Sequence, residues 1–190
     1  MPAKPYIVGI SGGTCSGKST LTNQLAEMLS GKHKVAVLNL DKFYKFAAMR
    51  TIAPITRVEY PEHNHPAAVD MDKMNEAFTV ALADETNDAV LVEGIFALHF
   101  DHIRERLALK LFVDLPSDER MYRRIKRMMN ESTTMDEVAT RYLDTVRYRH
   151  DEFVEPTRWH ADLVVNGNLD SGVSAGILAA HIAAQIHKEN

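Results

Sequence analysis

The sequence alternates short apolar runs with longer segments in which apolar residues recur every three or four positions. Such runs are typical of buried strands, and the longer segments are typical of amphipathic helices that pack on a sheet. The runs predict strands at 6–10, 35–40, 89–94, 109–114 and 161–165. The longer segments predict helices at 21–29, 70–83, 116–127, 135–154 and 174–188. This order predicts an α/β fold in three layers, with a five-stranded parallel sheet and helices on both faces.

Residues 45–70 interrupt the alternation, because Pro54, Pro61 and Pro66 disfavour regular structure. We therefore expect an irregular segment here, and long irregular segments in compact domains are often functional. His63 and His65 have a spacing that could bind a metal, but no Cys or carboxylate partner has a matching spacing. A loop on the substrate side is the favoured interpretation.

Length and composition limit the kinds of protein that this chain can be. The 190 residues are enough for one domain, and a hydrophobic content of 45% is ordinary for a globular protein. The net charge of −4 does not favour a nucleic-acid partner, and no apolar run is long enough to span a bilayer. The first strand begins too early for a signal peptide, and the single cysteine, Cys15, suits a reducing compartment. We therefore expect a cytoplasmic protein.

The segment between the first strand and the first helix has the phosphate-loop pattern of Gly, four residues and Gly-Lys-Ser. Its glycines allow close approach to a phosphate, and the following helix adds the positive end of its dipole. Lys18 would reach the β- and γ-phosphates, and Ser19 would bind Mg²⁺. Cys15 occupies a variable position, where a tolerated small residue is favoured over a redox role. The predicted nucleotide-binding residues are Gly12, Gly13, Thr14, Cys15, Ser16, Gly17, Lys18, Ser19 and Thr20.

Two acids follow or end predicted strands: Asp41 after the second and Glu93 in the third. Because ligands bind beyond the carboxyl ends of parallel strands, Asp41 is a candidate to accept a proton or hold a metal. Glu93 is a candidate to support magnesium, as acids at strand ends do in phosphate-loop proteins. Arg123 and Arg127 share a helix face and indicate either a phosphate clamp or a solvated surface.

The chain resembles uridine kinases over nearly its whole length. The resemblance is carried by the phosphate loop and by six further segments: Asp-Lys-Phe-Tyr (41–44), His-Pro-x-x-x-Asp (65–70), Leu-Val-Glu-Gly-Ile (91–95), Lys-Leu-Phe-Val-Asp (110–114), Arg-Arg-Ile-Lys-Arg (123–127) and Phe-Val-Glu-Pro-Thr-x-x-x-Ala-Asp (153–162). It implies the strand order 2-3-1-4-5 and transfer of the ATP γ-phosphate to a nucleoside 5′-hydroxyl.

The resemblance also implies roles for individual residues. Asp41 would be the catalytic base beside Lys18, and Ser19, Asp41 and Glu93 would surround Mg²⁺. Tyr44, His63 and Asn64 would contact the nucleoside, within an acceptor pocket formed mostly by residues 46–65. Arg124 and Arg127 would lie over the phosphates, in a helical lid at about 117–134 of a single domain spanning 1–190.

This sequence departs from the uridine kinase pattern in three places. The short connection 83–89 leaves no room for the hairpin that reads the pyrimidine, Asn64 replaces an aspartate that binds ribose, and Ser132-Thr133-Thr134 replaces an Arg-Gly-Arg of the lid. A nicotinamide riboside kinase or another small-metabolite kinase therefore stays open, as do a nucleotide sensor without turnover and a homo-oligomeric state. A GTPase is disfavoured, because no Asn-Lys-x-Asp segment is present.

Overall fold

The computed structural model describes residues 4–45, 49–168 and 172–189. Its strands are β1 (Tyr6–Gly12), β2 (Val35–Asn39), β3 (Arg50–Ile52), β4 (Glu59–Pro61), β5 (Ala89–Glu93), β6 (Leu109–Asp114) and β7 (Leu163–Asn166). Its α-helices are α1 (Lys18–Ser30), α2 (Met71–Ala83), α3 (Asp101–Arg104), α4 (Ser117–Met128), α5 (Met135–Arg141), α6 (Arg147–Arg149) and α7 (Val173–Glu189). Short 3₁₀ turns follow β2 (Leu40–Phe43) and precede α2 (Pro66–Ala68).

Five strands form one parallel sheet in the order β2-β5-β1-β6-β7. Numbered along the chain without the short β3 and β4, this order is 2-3-1-4-5, so the predicted fold and strand order are confirmed. Glu93 is in register with Ile10 of β1 and with Asn39 of β2. The carboxyl ends of these three strands therefore meet at one edge of the sheet, where the phosphate loop begins.

The sheet is covered on both faces by buried apolar clusters. One cluster joins the sheet to α1 and α7 through residues such as Leu21, Leu25 and Ile182. The other joins it to α2 and the segment after β5 through Met74, Phe78 and similar side chains. All five residues of β5 are buried, which explains why that strand is an unbroken apolar run up to its final acid.

The segment that the sequence predicted to be irregular contains a β-hairpin, so that prediction is wrong for residues 50–52 and 59–61. β3 and β4 pair antiparallel, with Thr51 opposite Tyr60. Their side chains are largely exposed and polar, and Pro61 ends the second strand, so no apolar alternation marks either strand. The connection from α2 to β5 is short, as predicted. Phe46, Ala47 and Ala48, at the start of the predicted acceptor segment, lie outside the described residues.

The helix predicted at 135–154 is longer and less regular than its sequence pattern indicated. π-helical turns at Tyr142–Val146 and His150–Val154 alternate with α5 and α6, and a 3₁₀ segment, Glu155–His160, continues beyond the predicted end. Proline is tolerated in a first helical turn, which explains why Pro156 does not stop the chain from coiling. Residues 135–160 are called the long helix below.

Polar contacts attach the hairpin to the long helix. The hydroxyls of Thr56 and Tyr60 each donate to the Oδ2 atom of Asp144 at 2.7 Å. Arg141 donates to the carbonyl oxygen of Pro61 at 2.9 Å, so the hairpin is held at its loop and along its second strand. Within the described ranges, no helix has both the length and the apolar composition needed to cross a bilayer.

Candidate active site

The phosphate loop connects β1 to α1, and its backbone is shaped by glycine. Gly12 and Gly17 have φ angles of 140° and 104°, which side chains rarely adopt. A Cβ atom on Gly12 would also overlap the carbonyl oxygen of Val113 in β6. Cys15 adopts φ 58° without being glycine, so it sits in a strained left-handed conformation at the turn of the loop.

Lys18 lies folded over the loop at the start of α1. Its Nζ atom donates to the carbonyl oxygen of Gly13 at 2.8 Å, and the side chain is buried. Burial lowers the pKa of Lys18, whereas the neighbouring carboxylates of Asp41 and Glu93 raise it. The two acids predicted from strand ends are therefore close enough to Lys18 to oppose the effect of burial, although its pKa stays below the ordinary value.

Glu93 is the point at which three elements meet. Its Oε1 atom accepts a hydrogen bond from Ser19 Oγ at 3.1 Å and from Asn39 Nδ2 at 2.5 Å. Its Oε2 atom accepts from Thr22 Oγ1 at 3.4 Å. Sequence reasoning did not select Asn39 or Thr22. The signal that could have identified Asn39 is its place as a polar residue at the carboxyl end of a parallel strand.

A cavity of about 230 Å³ opens above the loop and brings the predicted catalytic and metal-binding residues together. It is lined by Thr14, Cys15, Gly17, Lys18, Ser19, Thr20, Asp41, Glu93, Gly94, Ile95, Arg123 and Arg127. Mg²⁺ in kinases is held by one or two carboxylates together with substrate phosphates and water. One hydroxyl and two carboxylates, from Ser19, Asp41 and Glu93, are the donors that such an ion uses.

The arginines of α4 divide between two surfaces. Arg123 and Arg127, one turn apart, line the loop cavity. Arg124 lies outside this lining, but its guanidinium donates to Thr14 Oγ1 of the loop at 2.9 Å. Arg127 and Arg123 therefore face the space above the loop. Arg124 reaches the loop from a neighbouring face of the helix.

Of the residues predicted to contact the acceptor, Tyr44 lies near Asp41 and His63 lies against Tyr44. The rings of Tyr44 and His63 meet edge to face, with centroids 6.5 Å apart. Burial, together with the charges of Asp41 and Glu62, raises the pKa of Tyr44. Burial and the charge of Arg141 lower the pKa of His63, so its neutral form is favoured. The hydroxyl of Tyr44 and the neutral imidazole of His63 together form a surface suited to a polar, uncharged group.

Asn64 is placed by a buried ion pair. Its backbone N–H donates to Glu62 Oε1 at 2.7 Å, and Glu62 Oε2 pairs with Arg149 Nε of the long helix at 2.9 Å. Glu62 is only 2% exposed, so this pair fixes the backbone at Asn64. Asn64 also lines a narrow cleft with Thr14, Ile95, Val146, His150 and Val154. The predicted acceptor residue thus lies close to the phosphate loop.

Comparisons with known proteins agree on one family. Residues 79–173 match the family described as phosphoribulokinase/uridine kinase. The uridine kinases of Staphylococcus epidermidis and Staphylococcus aureus are 33% and 34% identical to this chain over 206 residues. Each alignment covers 96% of this chain and 98% of the relative.

Solved structures share the fold at lower identity. A possible uridine kinase from Bacillus stearothermophilus has a TM-score of 0.58 and 19% identity, covering 87% of this chain and 91% of its own. A candidate fructose transport system kinase from Silicibacter sp. TM1040 has a TM-score of 0.64 and 16% identity, covering 86% and 90%. The likeness to these two structures shows a shared fold.

Proposed function

Because this chain belongs to the phosphoribulokinase/uridine kinase family, we propose that it transfers the γ-phosphate of ATP to the 5′-hydroxyl of a nucleoside-like acceptor. Kinase activity on a nucleoside or another small molecule follows from the family, and the donor, the acceptor and the roles of individual residues are our proposal. The observation that carries it is the meeting of Lys18, Asp41 and Glu93 in one cavity above the loop.

The donor side of the reaction uses charge that the fold already holds in place. The loop N–H groups and the Lys18 ammonium bind the β- and γ-phosphates, and they remain bound to them as negative charge moves during transfer. Arg123 and Arg127 line the same cavity and offset charge on the phosphates from the opposite side. A magnesium ion held by Ser19, Asp41 and Glu93 would supply further neutralisation of the phosphate charge.

The acceptor side centres on Asp41. Its carboxylate accepts the proton of the acceptor hydroxyl as the oxygen forms a bond to the γ-phosphorus and the bond to the ADP oxygen breaks. Tyr44 and His63 position the acceptor beside this carboxylate, and Asn64 offers an amide to its hydroxyls. The phosphate ester and ADP are the products.

We also propose that the segment at about 117–134 acts as a lid in a single kinase domain. Its turn holds Thr134, which caps α5 through a reciprocal pair of contacts with Glu137. The side chain that stands where uridine kinases have a lid arginine is therefore used for local structure.

The single cysteine and an ATP donor are consistent with a cytoplasmic location, which is part of the same proposal.

The test is ADP release measured with ATP or GTP and a panel of uridine, cytidine, adenosine, nicotinamide riboside and simple sugars. We expect one class of acceptor to stimulate ADP release with ATP, and Asp41→Asn to abolish that stimulation. ATP that binds tightly and is turned over with none of the acceptors would instead indicate a nucleotide sensor. A preference for uridine over every other acceptor would mean that another segment replaces the missing hairpin.

A further inference from the structure

A second cavity, of about 330 Å³, lies beside α4 and does not share its lining residues with the loop cavity. It is lined by Tyr60, Arg124, Met128, Ser132, Thr133, Glu137, Val138 and Arg141. Arg124 and Met128 are one helical turn apart, as are Arg123 and Arg127 in the loop cavity, so the two spaces lie against neighbouring faces of α4. The lining comes from the hairpin, α4, α5 and the turn between the two helices.

The lining of this cavity is net positive, because it holds two arginines and one acid. Among the described residues, no carboxylate lies within ion-pairing distance of Arg124 or Arg141, and the Nε atom of each is buried without a hydrogen-bond partner. Glu137, the only acid in the lining, is held by the backbone and hydroxyl of Thr134 at 2.7 and 2.9 Å. Burial and the nearby charges of Arg141 and Arg127 lower the pKa of Arg124. An anion would relieve this repulsion.

The two arginines of this cavity lie near residues on the acceptor side of the proposed active site. Asp41 is close enough to affect Tyr44, and the Tyr44 ring contacts His63. Arg141 and Arg124 are in turn close enough to affect His63. A path of neighbouring side chains therefore runs from the catalytic carboxylate to the two arginines. An acceptor whose hydroxyl lies at Asp41 would extend along this path toward the cavity.

We propose that the acceptor carries an anionic group, a carboxylate or a phosphate, which Arg141 binds together with Arg124 in this cavity. The proposal rests on the kinase function proposed above and names the class of acceptor. Arg141 is the residue that decides between acceptors, since Arg124 also contacts the loop through Thr14. The apolar part of the lining, Met128 and Val138, packs on the carbon skeleton that bears the charge.

The experiment compares acceptors that differ only in charge: glycerol with glycerate, ribose with ribose 5-phosphate, and uridine with uridine 3′-phosphate. For at least one pair we expect kcat/KM for the anionic member to exceed that of the neutral one by about tenfold or more. Arg141→Gln should remove this preference by raising the KM for the anionic acceptor. Arg141→Lys should retain part of the preference. The KM for ATP should not change.

Arg141 also bonds to Pro61, so Arg141→Gln could act by loosening the hairpin rather than by removing a charge. A matched variant distinguishes these two effects. Thr56→Val removes a hydrogen bond to Asp144 but leaves the cavity lining intact, so the anionic preference should persist. The inference would be overturned if the neutral acceptor were preferred in every pair. It would also be overturned if Arg141→Gln changed kcat/KM equally for both members of a pair. In either case the kinase function would stand. An Arg141→Gln effect on the KM for ATP would assign the cavity to the donor instead. Absence of turnover with every acceptor would overturn the kinase function itself.

Discussion

Asn39 and Glu93 lie side by side at the carboxyl ends of β2 and β5, where Asn39 Nδ2 donates to Glu93 Oε1 at 2.5 Å. The other end of the same amide, Oδ1, accepts the backbone N–H of Asp41 at 2.8 Å. One neutral side chain thus orients both acids of the proposed magnesium site. Groups that orient metal ligands in this way typically affect metal affinity or activity by about 10–100-fold.

We therefore predict that Asn39→Ala raises the Mg²⁺ concentration needed for half-maximal activity by about tenfold or more. Asn75→Ala is the control, because Asn75 contacts only the exposed His102 among the described side chains. Titration of kinase activity with Mg²⁺ measures the effect. Equal magnesium requirements in the Asn39 variant and the unmodified protein would show that the amide does not support the site.

A second prediction concerns the lysine of the loop. Lys18→Ala should weaken ATP binding by about 10-fold or more and lower turnover as well, because its charge acts on the phosphates before and during transfer. Lys32→Ala, at an exposed position after the same helix, should change neither. Calorimetric binding of ATP and steady-state kinetics give the two quantities. Unchanged ATP affinity in the Lys18 variant would remove Lys18 from the proposed donor site.

The loop and the two acids could be predicted because their signals are local, whereas the strand order was implied only by the resemblance to uridine kinases. A glycine pattern between a strand and a helix is contiguous in sequence, and an acid that ends a buried run is conspicuous. Asn39 was not predicted, because its role depends on the register between β2 and β5. The hairpin was not predicted because polar bonds to Asp144, rather than apolar alternation, hold it. Arg141 was not predicted either, because its contacts depend on how the long helix packs against the hairpin.

A third prediction concerns the pair of Glu62 and Arg149. Glu62 is 2% exposed, so removing its partner leaves a buried carboxylate uncompensated. Since the Arg149 side chain is 25% exposed and water reaches part of the pair, we expect Arg149→Met to lower the free energy of unfolding by about 3 kcal/mol. Urea denaturation provides the measurement.

The double variant Glu62→Gln with Arg149→Met tests the cause of this loss. Once the carboxylate is neutral, most of the lost stability should return. If the double variant were as unstable as the sum of the two single variants, the loss would come from packing of the Arg149 stem instead.

A fourth prediction concerns pH. Burial and the charge of Arg120 lower the pKa of His150 to about 4, against an ordinary value of 6.5. The unfolded chain therefore binds a proton on this histidine as pH falls through 6.5, whereas the folded chain does so only near pH 4. The free energy of unfolding should therefore decrease as the solution is acidified between these values, by at most about 2 kcal/mol from pH 7 to pH 5. The charges of Asp151 and Asp114 raise the pKa of His150 and oppose part of this shift.

His150→Gln isolates the contribution of this histidine, because other groups also titrate as the solution is acidified. The free energy of unfolding of the unmodified protein should decrease more steeply between pH 7 and pH 5 than that of the variant. Parallel decreases in the two proteins would show that His150 binds its proton equally well in the folded and unfolded states.

Transfer of label from γ-³²P-ATP, compared between the unmodified protein and Asp41→Asn, tests the central claim most directly. The account predicts that label appears in a phosphate ester of the acceptor. It also predicts that Asp41→Asn binds ATP almost unchanged but forms this ester about 10²–10⁴-fold more slowly. Label found only in inorganic phosphate, or ester formed by Asp41→Asn at nearly the full rate, would contradict it.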